Sequence, residues 1–186
     1  MKKVILLMLA VIALTSVSAQ TKVAGVELPN TETYNGQTLQ LNGAGVREKF
    51  WIDLYAGGLY LTTKSSDAAA IMAKNEAMSI KLHIVSKLIT SEKMVDAVNE
   101  GFEKSTSGNT AALSPKIEKF KSFFMAEIKR DDIFDIVYLP SKGVIVYKND
   151  KELGVIEGME FKKALFGIWL SNKPADNDLK KAMLGK

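Results

Sequence analysis

The chain has 186 residues, a formal net charge of +4, one histidine and no cysteine. Without cysteine there is no disulfide framework, no thiol nucleophile, no thiolate metal site and no iron–sulfur cluster, so stability rests on the core. The charge points to no polyanion: Lys2 and Lys3 supply two of the positive units, and the other lysines are interspersed with acidic residues rather than gathered into a block suited to nucleic acid.

Lys2 and Lys3, the unbroken apolar run from Val4 to Leu14, and the small residues Val17-Ser18-Ala19 have the layout of a secretory signal peptide over residues 1–19. The run is too short for a membrane span and is followed at once by Thr15, Ser16 and Ser18. Cleavage after Ala19 leaves residues 20–186 as one domain, exported and predicted to work in the periplasm, with full secretion the alternative. No second apolar run of spanning length follows, which predicts a soluble mature chain without stable membrane insertion.

Val23 to Leu28 alternates weakly and stops at Pro29-Asn30, a short strand entering a turn. Asn35-Gly36 is a second turn signal. Leu39-Gln40-Leu41 opens a long strand region that is expected to continue, bent, through Leu61. Asp67 to Lys74 is a short alanine-rich helix. Met78, Ile80, Leu82 and Ile84 alternate with Ser79, Lys81 and His83, the pattern of a strand with one buried face. Thr90 is placed to cap a helix whose first turn carries Glu92 and whose apolar stripe is Met94, Val95, Val98 and Phe102. Ser114-Pro115 reads as an N-cap followed by proline at the first helical position, with Ile117, Phe120, Phe124 and Ile128 at helical spacing. Ile133 to Leu139 and Val144 to Tyr147 are strands, and the turn Asn149-Asp150 leads to a short strand ending near Ile156. Phe161, Ala164, Leu165, Ile168 and Trp169 define a helix that ends before Pro174, and Leu179, Ala182 and Met183 a last short one. Strand runs at both ends enclose helical segments, so the fold class is α+β with a mostly antiparallel sheet.

The chemistry-bearing motifs are few. His83, the lone histidine, sits in mid-strand on the face opposite its apolar neighbours, and no metal site or Ser-His-Asp triad can be assembled around it from the pattern. Asn42 to Gly45 ("NGAG") lacks the Lys-Ser/Thr of a phosphate loop and precedes a strand rather than a helix. Asp131-Asp132 reads as a solvated turn. Neither a cofactor nor a metal is implied.

Two segments carry more than a pattern. "LNGAGVREKFWIDLYAGGLYL" (41–61) and "GVIEGMEFKKALFGIWLSNKPADNDLKKAMLG" (154–185) together resemble the chalcone isomerase family, and most closely its bacterial exported chalcone-isomerase-like branch. The resemblance implies an antiparallel sheet with a layer of helices packed on one face and a ligand cleft between. In the family's plant enzymes that cleft cyclises a chalcone without a cofactor, and the arginine of the "GAGVR" motif, here Arg47, holds the oxyanion. The other plant positions differ. Tyr55 stands where the isomerase strand has threonine, Thr90 where it has the catalytic tyrosine, Ala97 where it has an asparagine, and Ile168-Trp169 where it has a threonine–methionine pair. The pattern is more similar to the family's non-catalytic, fatty-acid-binding members, in which an arginine and a tyrosine on this strand hold a carboxylate; Arg47 and Tyr55 match that pair. The resemblance therefore implies a small amphipathic ligand in a site of Arg47, Tyr55, Thr90, Ile168 and Trp169. Phe102, Phe120, Phe124 and Leu165 are further candidates for an apolar lining. A chalcone-type intramolecular lyase remains the alternative, with Arg47 as its catalytic residue.

Strand geometry bears on this reading. In one continuous strand Arg47 and Tyr55 are eight residues, about 26 Å, apart, so they can share one head group only across a sharp bend, expected at Glu48-Lys49. Arg47, Trp51, Asp53 and Tyr55 share one parity; Phe50, Ile52, Leu54, Ala56 and Tyr60 share the other, which reads as the core face. The competing account of Arg47 is an ion pair with Asp53 or another carboxylate.

Overall fold

Two-residue turns cut the N-terminal part of the chain into hairpins. The computed structural model describes residues 20–186; the signal peptide expected over residues 1–19 lies outside the described residues. Strand β1 (Gln20–Val23) pairs with β2 (Val26–Pro29), β3 (Thr31–Tyr34) with β4 (Gln37–Lys49), and β4 with β5 (Ile52–Leu61), all antiparallel. The connecting pairs Ala24-Gly25, Asn35-Gly36 and Phe50-Trp51 all have positive φ at both positions. That is the turn whose twist matches the flanking strands. Two expectations change as a result. The strand read over Val23–Leu28 is a hairpin, and the long bent strand read through Leu61 is two strands folded back on each other. The reversal falls at Phe50-Trp51, two residues past the expected bend, where neither residue is a turn former.

Helix α1 (Ala68–Ala73) follows, capped by the Asp67 side chain on Ala70 N, and then strand β6 (Met78–Ile84). Thr90 caps α2 (Ser91–Ser105) through Lys93 N, as its position before Glu92 predicts. A single 3₁₀ turn, Ala111–Leu113, leads into α3 (Ser114–Ser122), so Leu113 rather than Ser114 holds the cap position. The helix stops short of the expected Ile128. Phe123 turns onto Gly154, where a Cβ would lie 2.7 Å from its ring, while Phe124 leaves the helix but keeps an edge-on contact with Phe120 at 5.1 Å. Strands β7 (Ile133–Leu139), β8 (Gly143–Lys148) and β9 (Lys151–Ile156) complete the sheet, and helices α4 (Met159–Leu170) and α5 (Asn177–Met183) close the chain.

The main sheet is a seven-stranded antiparallel meander, β3 to β9 in chain order. One face carries Ile80, Leu82, Phe134, Ile136 and Val146 against α2, α3 and α4, and this is the larger core. The other face was expected to meet water, but Ser79 and Lys81 are buried there. The sheet curls so that β3 lies back over it. Tyr34 stacks on Tyr147 of β8, with ring centroids 6.1 Å apart, and donates to Asp135 at 2.8 Å. Lys81 pairs with Asp135 at 2.8 Å and Glu32 at 2.9 Å. Leu39, Leu41, Tyr60, Val137 and Ile145 form a second small core around these charges.

Glycine seats the last helix. A Cβ on Gly43 would lie 2.1 Å from the Ala182 carbonyl oxygen, one on Gly45 2.6 Å from Ala182 Cβ, and one on Gly57 2.8 Å from Met183 Cε. Gly43, Gly45 and Gly57 of the β4–β5 hairpin thus form a groove in which α5 lies directly on backbone. Its N-terminus is delivered to the turn end of that hairpin, where its N-cap Asp176 meets Arg47.

Candidate functional site

A cavity of about 470 Å³ lies between the helix-covered face of the sheet and the helices above it. Leu82 and Ile136 form part of its floor. Met94, Val98 and Gly101 of α2, Phe120 and Phe124 around the end of α3, and Ile168 and Trp169 of α4 form its walls. Gly101 lets α2 and α4 close over it, since a Cβ there would meet Ile168 at 2.8 Å. The volume falls within the range of small-molecule sites.

Arg47 and Tyr55 both line this cavity and are register partners across the β4–β5 hairpin. Directly opposed residues on one face of an antiparallel pair have Cβ atoms about 4.5–5.5 Å apart. The turn at Phe50-Trp51 thus brings together two residues that a continuous strand would hold about 26 Å apart. The same turn breaks the parity argument: Tyr55 is buried, whereas Phe50, assigned to the core face, is 78% exposed and Ile52 42%.

The donors at this end of the cavity are only partly used. Arg47 donates from Nη1 to Asp176 Oδ2 at 2.9 Å and to the Glu48 carbonyl at 3.1 Å; its Nε and Nη2 have no protein partner among the described residues. Asp176 is also the N-cap of α5, accepting from the N–H groups of Asp178 and Leu179. Burial pushes its carboxyl up, but the Leu179 N–H, the Arg47 guanidinium and the Asp178 N–H together outweigh burial and hold its pKa below the ordinary carboxylate value. Trp169 Nε1 donates to the Tyr55 hydroxyl at 3.1 Å. A phenol that accepts still has its own proton to give. Burial, moderated by that bond and by Arg47, pushes Tyr55 up to about 12, so the hydroxyl is neutral and a donor at physiological pH. A guanidinium edge and a phenolic O–H therefore converge at one end of an apolar chamber, which is the donor set that a carboxylate or an oxyanion accepts from.

Of the residues expected at the site, Arg47, Tyr55, Ile168 and Trp169 come together, as do the lining candidates Phe120 and Phe124. Thr90 does not. It is exposed at the N-terminus of α2 and its hydroxyl is spent on the helix cap. Phe102 and Leu165 are plain core. His83 points to the opposite face of the sheet, 3.8 Å from Asp131, and burial lowers its pKa. The ion-pair account of Arg47 is correct as to chemistry, with Asp176 rather than Asp53 as the partner. Sequence reasoning missed Asp176, which stands 129 positions from Arg47; its local signal, an Asp before a short helical pattern, speaks only of a cap. It also missed Lys49, Phe50, Ile52 and Leu88 at the cavity's open end. Among the described residues no cluster of His, Asp and Glu side chains could hold a metal, and no helix is long and apolar enough to cross a membrane.

Three comparisons bear on this arrangement. The sequence profile described as chalcone isomerase-like matches residues 20–185. Among solved structures, a fatty-acid binding protein of Arabidopsis thaliana is similar, with a TM-score of 0.68 and 17% identity over 86% of this chain and 92% of that one. At that identity the likeness is one of fold. No curated protein matches the chain.

Proposed function

The chain belongs to the chalcone isomerase-like family, and on that premise we propose that its cavity binds a fatty acid or a similar amphipathic carboxylate without turning it over. One observation carries this reading: the unspent donors of Arg47 and Tyr55 lie side by side at one end of a chamber that is otherwise mostly apolar. The head group takes the free edge of the Arg47 guanidinium and the Tyr55 proton, and the tail runs between Ile168 and Trp169 on one side and the sheet on the other. Each methylene withdrawn from water contributes about 0.8 kcal/mol, so a tail of about ten carbons keeps several kcal/mol after the ligand is ordered. The fatty-acid binding protein of Arabidopsis thaliana, similar in fold, adds weight to this ligand class. The cyclisation alternative has less support. Thr90, at the position of the plant enzymes' tyrosine, faces away from the chamber and is bound to its own helix.

Native mass spectrometry of the purified protein, followed by solvent extraction, tests the proposal. A co-purifying fatty acid in the wild type that is lost in Arg47→Ala supports it. An empty protein that also takes up no added decanoate overturns it. Export belongs to the same proposal, on the strength of Lys2-Lys3, the apolar run and Val17-Ser18-Ala19. Protein recovered from the periplasmic fraction should begin at Gln20, and a cytoplasmic chain that begins at Met1 would refute it.

A further inference from the structure

The described residues leave five large hydrophobic side chains exposed: Phe50, Trp51, Ile52, Leu88 and Met125. Four of them gather at one place. Phe50, Trp51 and Ile52 form the tip of the β4–β5 hairpin, and the loop carrying Leu88 runs beside it, tied by a bond from Val85 N to Leu54 O. Phe50, Ile52 and Leu88 also line the open end of the cavity. An apolar patch therefore rims the exposed end of the chamber.

The tip is held in that shape at a cost. Phe50 and Trp51 have φ of +53° and +59°, a conformation that bulky residues avoid and that Asn-Gly adopts with ease. The Trp51 side chain is 92% exposed, so packing within the chain does not explain it. Strain combined with outward-facing aromatics at a binding site points to a use outside the fold. Charge favours one kind of surface. The cavity lining carries four cationic side chains, Arg47, Lys49, Lys93 and Lys104, of which Arg47 is paired with Asp176 and Lys104 with Glu100, and one further carboxylate, Asp96. Lys49 lies over the Phe50 ring at 5.7 Å and, like Lys93, has no ion pair among the described residues. Glu48 and Asp53, paired across the hairpin just behind the tip, limit this attraction and leave the aromatic side chains as the main contribution.

We propose that the Phe50-Trp51-Ile52 tip, with Leu88, docks on the surface of an anionic lipid bilayer and opens the cavity to it. Tryptophan and phenylalanine beside lysine suit the boundary between head groups and acyl chains, and insertion stops at the depth of a two-residue turn. The inference rests on the carboxylate-binding reading for its purpose, since a fatty acid resides in lipid rather than in water and a docked mouth shortens its path. The docking itself does not depend on that reading.

The test separates the two. Mature, ligand-free protein is co-sedimented with phosphatidylcholine–phosphatidylglycerol vesicles, and decanoate binding is measured separately in water without vesicles. The wild type should partition onto the vesicles, more weakly onto pure phosphatidylcholine. Trp51→Gly, which suits the backbone and lies outside the cavity lining, should reduce partitioning about tenfold and leave decanoate affinity unchanged. Transfer of a fatty acid from vesicles to protein should slow in parallel. A wild type that stays in the supernatant, or that self-associates through this tip instead, overturns the docking proposal, as does a Trp51→Gly variant that partitions equally well. Absence of decanoate binding overturns the functional reading alone, while the sedimentation result still decides the docking.

Discussion

Asp176 is the residue on which the site turns, because it serves two groups at once. Its Oδ1 accepts from the first N–H groups of α5 and its Oδ2 takes Arg47. A ligand carboxylate must therefore approach a guanidinium that already faces one negative charge. Replacing Asp176 by Asn keeps a good helix cap and removes the competitor. Decanoate affinity, read by calorimetry, should rise severalfold, the effect of about 1 kcal/mol of repulsion between partly exposed charges. The same variant reports on pH. The folded pKa of Asp176 is depressed, so its stabilising contribution is fully present above the unfolded carboxylate value of about 3.9 and is lost as pH falls through the folded pKa. The urea midpoint of the wild type should consequently drop more steeply than that of Asp176→Asn on acidification below about pH 4. Tyr55→Phe makes a different test. It removes the ligand's second donor and leaves the Trp169 N–H without a partner in a buried place. The expected cost is about 1–3 kcal/mol in unfolding free energy, with weaker decanoate binding alongside.

At the scale of elements, the β4–β5 hairpin builds the site and α5 completes it. Most elements were legible because their periodicity is clean: the β6 alternation, the α2 stripe behind the Thr90 cap, and the apolar face of α4 all stand where the pattern puts them. The hairpin was not. Phe50-Trp51 has none of the Asn, Asp or Gly that announce a two-residue turn, so apolar residues on both sides read as one strand. The family resemblance placed Arg47 and Tyr55 in one site, but the geometry that makes this possible could not be read from strand spacing. Installing the missing signal should demonstrate the strain: Phe50→Asn combined with Trp51→Gly relieves two positive φ angles and should raise stability by about 1 kcal/mol or more, seen as a higher urea midpoint. The groove for α5 predicts the opposite sign. In Gly43→Ala the new Cβ meets the Ala182 carbonyl oxygen, which is backbone and cannot swing away. Overpacking of this kind costs about 1–3 kcal/mol, and because it lifts α5 it should also release Arg47 from Asp176.

For the whole molecule, the curl of the sheet divides the work between its two faces. Burying Lys81 and Asp135 under β3, whose Glu32 also pairs with Lys81, closes one face with a charge cluster. No local pattern foretold this, since Ser79, Lys81 and His83 alternate as a solvent face does. The other face meets the helices over the larger core, and there α2 and α4 stand off far enough to leave a chamber. A ligand that binds in it, and not to the unfolded chain, should stabilise the native state by mass action alone. At about a hundred times its dissociation constant, decanoate should add about 2.7 kcal/mol, which for a domain of this size raises the melting temperature by roughly 5–10 °C. Scanning fluorimetry can follow this through Trp169, whose indole lines the chamber. Arg47→Ala at the same decanoate concentration should lose most of the shift while the ligand-free melting temperatures stay close, because Arg47 is partly exposed and its ion pair is with a carboxylate that keeps its helix-cap bonds. A full shift in Arg47→Ala would mean that the tail binds without the head, and the carboxylate clamp would have to be abandoned.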